Sequence, residues 1–179
     1  DDAMKAGFGW ENGPFEIWDA IGVEKGIELM KAEGYQPASW VTDMLASGNT
    51  SFYSIKDGAT HFYSITNKKV EKIPGQDAFI ILNNIRESKK IWNNSDSIIT
   101  DLGDGIINLE FTSKMNSIGA GVLQGINKAI DIAEKDYNGL VIGNQGANFS
   151  VGANLGMIFM MAVEQEYDEL NMAIKMFQD

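Results

Sequence analysis

The feature that most restricts how this chain folds is a short, wholly apolar run, Leu140-Val141-Ile142, set between two stretches of helical spacing. From Ile118 to Lys135 the residues Ile118, Val122, Ile126, Ala129, Ile130 and Ala133 recur on one stripe, and Asn116 or Ser117 can cap its start. After the glycine-rich stretch Gly143 to Gly152 the stripe returns at Leu155, Ile158, Phe159, Ala162 and Val163. An apolar run with no polar face predicts a strand covered on both sides. Upstream, Ser97 to Leu102 and Ile106 to Phe111 read as two strands around the tight turn Gly103-Asp104-Gly105. The order is β-β-α-β-loop-α, so residues 84–179 are expected to form an α/β layer and the chain to be α/β overall.

The remainder has a different pattern. Residues 1–48 read as an all-α piece, with helices at Pro14 to Ala20, Val23 to Glu33 and Pro37 to Ala46. Gly22, Gly34 and Gly48 stand as helix stops, and Pro14 suits the first position of a helix. Residues 49–83 read as a β-hairpin and linker: Thr50 to Ile55 and Thr60 to Ile65 are aromatic and β-branched, and Asp57-Gly58 supplies the turn. Lys68, Lys69 and Lys72 then lead to a break at Pro74-Gly75 and read as a solvated face. Charge changes sign along the same division, with net −6 over residues 1–50, +3 over 51–90 and −8 over 91–179. The opening Asp1-Asp2-Ala3-Met4 and the closing Phe177-Gln178-Asp179 carry neither an initiator methionine nor a helix stop, which suggests an excised fragment.

Composition removes several classes of function. A net charge of −11 over 179 residues lacks the basic footprint that phosphate-backbone binding needs, so no nucleic-acid partner is expected. The absence of cysteine excludes disulfides, thiolate nucleophiles and Cys-ligated metals, and a single histidine leaves no expected metal site. His61 reads as an ordinary strand residue of the hairpin. The longest apolar stretch, Met157 to Val163, is about a third of the roughly 20 residues a membrane span requires. With no span and no signal peptide visible, the expected location is the cytoplasm. Gly7-Phe8-Gly9 invites a dinucleotide-binding reading, but Asn12 stands where the fingerprint needs its last glycine and no buried strand precedes it.

The strongest chemical signal is the loop Gly143 to Gly152. A glycine-rich turn before an apolar helix presents backbone N–H groups without intrahelical partners where the helix dipole favours negative charge. The loop reads either as a common strand-to-helix turn or as a site for an oxyanion or phosphate. It is no Walker loop, because no Gly-Lys-Ser/Thr follows.

Four ordered segments carry a family resemblance: Ile106-Ile107-Asn108-Leu109-Glu110-Phe111, Lys114-Met115-Asn116-Ser117-Ile118, Gly139-Leu140-Val141-Ile142-Gly143 and Phe149-Ser150-Val151-Gly152-Ala153-Asn154-Leu155. Together they resemble the first half of an enoyl-CoA hydratase (crotonase) domain. The resemblance implies that the Ala153 N–H is one of two peptide donors to a thioester oxygen and that Gly152 leaves room for close approach. It also places the coenzyme A nucleotide at Lys114, Met115 and Asn116. Glu164, Glu166 and Glu169 do not match the family's catalytic glutamates and read as a solvated face.

The first piece has its own resemblance. Asp2 to Trp10 and Gly13 to Gly22 are similar to the closing part of the helical C-terminal domain of 3-hydroxyacyl-CoA dehydrogenases. The two families occur fused in multifunctional fatty-acid β-oxidation proteins, so the chain is expected to be a fragment of one. Its parent would hydrate enoyl-CoA and oxidise 3-hydroxyacyl-CoA, with NAD bound by a domain outside this chain. The expected partners are acyl-CoA thioesters and further copies of the chain, and the fragment alone is expected to be inactive. The competing reading is a non-catalytic scaffold or dimerisation module of such a protein.

Overall fold

A computed structural model describes residues 1–178, which form two compact units divided between Ile80 and Ile81. The first unit begins with four short helices, α1 (Asp2–Phe8), α2 (Pro14–Ile21), α3 (Val23–Ala32) and α4 (Ser39–Ala46). Helix α2 starts on Pro14, and its orphan N–H groups are satisfied by acids. The Glu16 carboxylate accepts from Gly13 N–H at 2.7 Å, and Asp1 accepts from Phe15 N–H at 2.9 Å. Gly22, at φ 94°, lets α2 end and α3 begin without a spacer.

Three antiparallel strands follow, β1 (Tyr53–Lys56), β2 (Ala59–Ser64) and β3 (Lys69–Lys72). The expected hairpin is present around Asp57-Gly58, but it packs with the helices: Phe52 and Tyr63 share a buried core with Val23, Ile27, Val41 and Met44. The Phe52 ring lies 4.9 Å from Phe15 and 5.2 Å from Trp18 between centroids, which suits edge-on aromatic contact. Asp19 on α2 accepts from the N–H groups of Phe52 and Tyr53 at 2.8 and 2.9 Å. Lys68, Lys69 and Lys72 are exposed, as expected of a solvated face, but Lys69–Lys72 is also a third strand paired with β2, which was not foreseen. Its only apolar residue is Val70, so pairing with β2 overrides a sequence that carries no alternating apolar signal. His61 sits on β2 opposite Ser54 and Lys72, with Nδ1 3.1 Å from Ala59 O, an ordinary strand position.

The second unit contains the short helix α5 (Leu82–Ile85) and a sheet ordered β4 (Lys90–Asn93), β5 (Ser97–Gly103), β6 (Ile106–Phe111) and β7 (Gly139–Ile142). Strands β4 to β6 are antiparallel, and β7 runs parallel to β6 in the register Ile107↔Leu140 and Leu109↔Ile142. A parallel neighbour needs a crossover, and α6 (Ala120–Asp136) provides it. Its Val122 and Ala129 are fully buried against Ile99, Ile107 and Leu109. Helices α7 (Leu155–Val163) and α8 (Tyr167–Gln178) complete the unit. The α/β expectation holds.

Several local expectations fail for identifiable reasons. Strand β4 was unforeseen because it is short, polar at both ends and lies at the sheet edge. Strand β7 is not covered on both faces, since Val141 is 45% and Ile142 40% exposed. Helix α6 begins at the backbone of Gly119 with no side-chain cap. Asn116 and Ser117, the expected caps, stand three and two residues ahead of the N-cap position Gly119, and Asn116 Nδ2 donates instead to Asn148 O.

Candidate functional site

Two loops leave the carboxyl ends of the parallel pair β6 and β7, residues 112–119 and 143–154, the edge where open α/β sheets bind ligands. Side-chain amides hold them together. Asn108 Nδ2 donates to Gly143 O at 3.1 Å, Phe111 N–H donates to Asn144 Oδ1 at 2.7 Å, and Asn144 Nδ2 donates to Phe149 O at 2.8 Å. Across the gap, Asn116 Nδ2 donates to Asn148 O at 3.0 Å and Ser150 Oγ donates to Asn116 O at 2.6 Å. Met115 and Asn116 take φ of 56° and 54°, a left-handed pair that costs backbone energy and is held by these contacts.

Ala153 lies directly opposite Ile118 in a one-residue parallel bridge. Ile118 N–H donates to Gly152 O at 2.8 Å and Asn154 N–H donates to Ile118 O at 3.3 Å. Alternation along an extended segment therefore turns the Ala153 N–H away from Ile118, and it has no acceptor among the described residues. Gly152 has φ 84°, and a Cβ there would meet nothing within 4 Å, so the requirement for glycine at this position is conformational. Asn154 caps α7, its Oδ1 accepting from Met157 N–H at 3.3 Å. Lys114 is exposed and makes no ion pair among the described residues.

An apolar cavity of about 440 Å³ opens beside Ala153, walled by Ile118 and Leu123, by Met157 and Met161 of α7, and by Met172 and Met176 of α8. Glu169 is the single ionisable residue on its wall among the described residues. The hydrogen bond with Glu169, followed by the charges of Glu169 and Glu164, holds the Glu166 carboxyl above the usual carboxylate range.

Sequence reasoning missed the support beneath these loops. Glu110, 1% exposed on β6, receives two hydrogen bonds from Arg86, from Nε at 2.8 Å and from Nη2 at 2.6 Å. Four residues earlier, Leu82 N–H donates to Gln145 Oε1 at 2.7 Å, so one short segment touches both β6 and the glycine-rich loop. Asn108 and Glu110 alternate with Ile107, Leu109 and Phe111, which reads as a solvent face, yet both are buried. A carboxylate within so apolar a run was the available signal of a buried partner.

Three curated relatives are similar over nearly the whole chain. The probable 3-hydroxyacyl-CoA dehydrogenase of Bacillus subtilis is 43% identical over 180 residues, covering 100% of this chain and 23% of that protein. The putative fatty acid oxidation complex trifunctional enzymes of Rickettsia felis and Rickettsia prowazekii are 25% and 26% identical over 178 residues, covering 99% of this chain and 22% of each. This chain thus spans less than a quarter of the length of the curated relatives it matches. No family profile and no solved structure matches it. Among the described residues no helix is long and apolar enough to cross a membrane.

Proposed function

We propose that this chain is a cytoplasmic segment of a fatty-acid β-oxidation protein in which the helical end of a 3-hydroxyacyl-CoA dehydrogenase domain, residues 1–48, leads through residues 49–83 into the first half of a crotonase domain, residues 84–179. In this reading its task is to hold an acyl-CoA thioester at the two-loop platform. The observation that carries the reading is the unpaired Ala153 N–H beside an apolar cavity. A peptide donor fixed in this way matches the need of a thioester whose oxygen gains charge when water adds to the adjacent double bond. A donor of this kind is worth about 3 to 4 kcal/mol in the transition state. Lys114, exposed at the start of the left-handed Met115-Asn116 turn, offers a cation to the nucleotide phosphates.

Gly7 lies inside α1 and Gly9 caps it, a helical setting rather than the strand-to-helix turn of a dinucleotide fold, and the proposal assigns the oxidation of a 3-hydroxyl by hydride transfer to NAD to another domain of the parent. The names of the relatives support the dehydrogenase assignment, and the hydratase assignment rests on the motif resemblance and the loop geometry.

The test is calorimetric titration of this chain with dodecanoyl-CoA. Ala153→Pro removes the donor and is expected to weaken binding by about tenfold, the value of one net hydrogen bond near 1.4 kcal/mol, whereas Ala153→Ser retains it. Equal affinities for the proline variant and the parent sequence, with circular dichroism unchanged, would refute the role of Ala153.

A further inference from the structure

The cavity beside Ala153 has a direction. Asn154, Met157, Ile158 and Met161 line it along one face of α7, and after the three-residue turn Glu164 to Glu166 the first turn of α8 brings Glu169 to its wall, near the C-terminal end of α7. Nine residues of α7 at 1.5 Å each separate Ala153 from that turn by about 13 Å. An extended chain advances about 1.2 Å per bond, taking an extended peptide residue as three bonds, so some eleven bonds bridge this distance. Four of the walls are methionines, Met157, Met161, Met172 and Met176, whose flexible side chains adapt to occupants of different shape. Negative charge collects at the far end, where Glu164, Glu166, Asp168 and Glu169 lie within six residues and form no ion pair among the described residues.

We infer that Glu169 is a specificity-determining residue that closes the far end of this cavity to anionic chain ends, so that the site takes acyl groups with an apolar terminus and rejects ω-carboxylated acyl groups long enough to reach it. The inference rests on the proposed thioester position at Ala153. The selectivity depends on chain length by construction, because a short ω-carboxyl group stops among the methionines and does not reach Glu169. It is also electrostatic, so salt weakens it.

The experiment measures the dissociation constants of dodecanoyl-CoA and of its ω-carboxylated counterpart, the monothioester of dodecanedioic acid, on the 179-residue chain and on Glu169→Gln. The ratio of the two constants is expected to be about tenfold in favour of dodecanoyl-CoA in the parent sequence, to fall toward unity in Glu169→Gln, and to shrink in 0.5 M salt, where screening is effective over roughly 4 Å. If dodecanoyl-CoA binds no better than free coenzyme A, the acyl-CoA reading and this inference both fall. If it binds well and the ratio is near unity in the parent sequence, the inference alone is overturned. A ratio that stays high in Glu169→Gln also overturns the role of Glu169.

Discussion

Arg86 offers the clearest test of how the platform is supported. The Glu110 side chain is 2% exposed and its two oxygens are both bound by the Arg86 guanidinium, whose own side chain is 31% exposed. Replacing Arg86 with Met keeps an unbranched apolar stem as far as the position of Nε and removes the guanidinium, which leaves a buried carboxylate without its counterion. Breaking a buried pair from one side costs about 3 to 5 kcal/mol. Because water reaches the guanidinium side, the lower end applies, and about 3 kcal/mol corresponds to roughly a hundredfold change in an opening equilibrium. The assay is amide hydrogen exchange at Ile107 and Leu109, which are fully buried on β6 and report opening of the second unit alone. Exchange there is expected to quicken by roughly a hundredfold in Arg86→Met. In the double variant Arg86→Met, Glu110→Leu, where no charge remains to be buried, most of the protection should return. Exchange in the single variant within threefold of the parent sequence, or a double variant no better than the single, would show that the pair does not hold β6 in place.

Two further expectations concern acid stability and association. Burial acts to raise the Glu16 carboxyl, but hydrogen bonds from Lys5 and from Gly13 N–H outweigh it and hold the group below its usual value. Its contribution to the first unit, about 1 kcal/mol or less, is therefore present above the unfolded value near 4.5 and is lost as pH falls through the lower folded value. The stability gap between the parent sequence and Glu16→Gln in urea should accordingly be larger at pH 7 than at pH 3, and an equal gap at both would refute the assignment. Helix α7 exposes Leu155, Phe159 and Val163 at 76, 65 and 59%, an apolar surface of the kind that recruits partners, so sedimentation at tens of micromolar should show self-association; a clean monomer would count against it.

What the sequence made legible follows from how far each signal reaches. The β5–β6 turn at Gly103-Asp104-Gly105 and the stripe of α6 are written in neighbouring residues, and both elements appear within a few residues of the expected bounds. Strand β3 and the third-strand role of Lys69 and Lys72 depend on a partner strand, which local pattern does not encode. The loop following β7 was readable as a candidate anion site from its glycines, but its neighbour's contribution was not. Nothing about Asn116 announces that it will bind residue 148, and it was read as a helix cap. Glu110 was not singled out for a related reason: alternation assigns a strand residue to a face without saying whether that face is covered. Glu164, Glu166 and Glu169 were read as a solvated face and are exposed, but only the return of α8 along α7 brings Glu169 to a cavity wall.

The hydrogen bonds that join the two loops also set when the platform can form. Asn116 to Asn148, Ser150 to Asn116 and Ile118 to Gly152 all span more than thirty residues, with the whole of α6 lying between their ends. The β5–β6 hairpin and α6 are local and can organise early, whereas these contacts bear the entropy of a long loop and come late. The platform is thus a product of the finished chain topology. A peptide spanning only residues 143–154 would keep its glycines and lose the partners that hold Ala153 in register. Destabilising the platform should mainly accelerate unfolding while leaving the folding rate nearly unchanged, the behaviour of contacts made after the rate-limiting step.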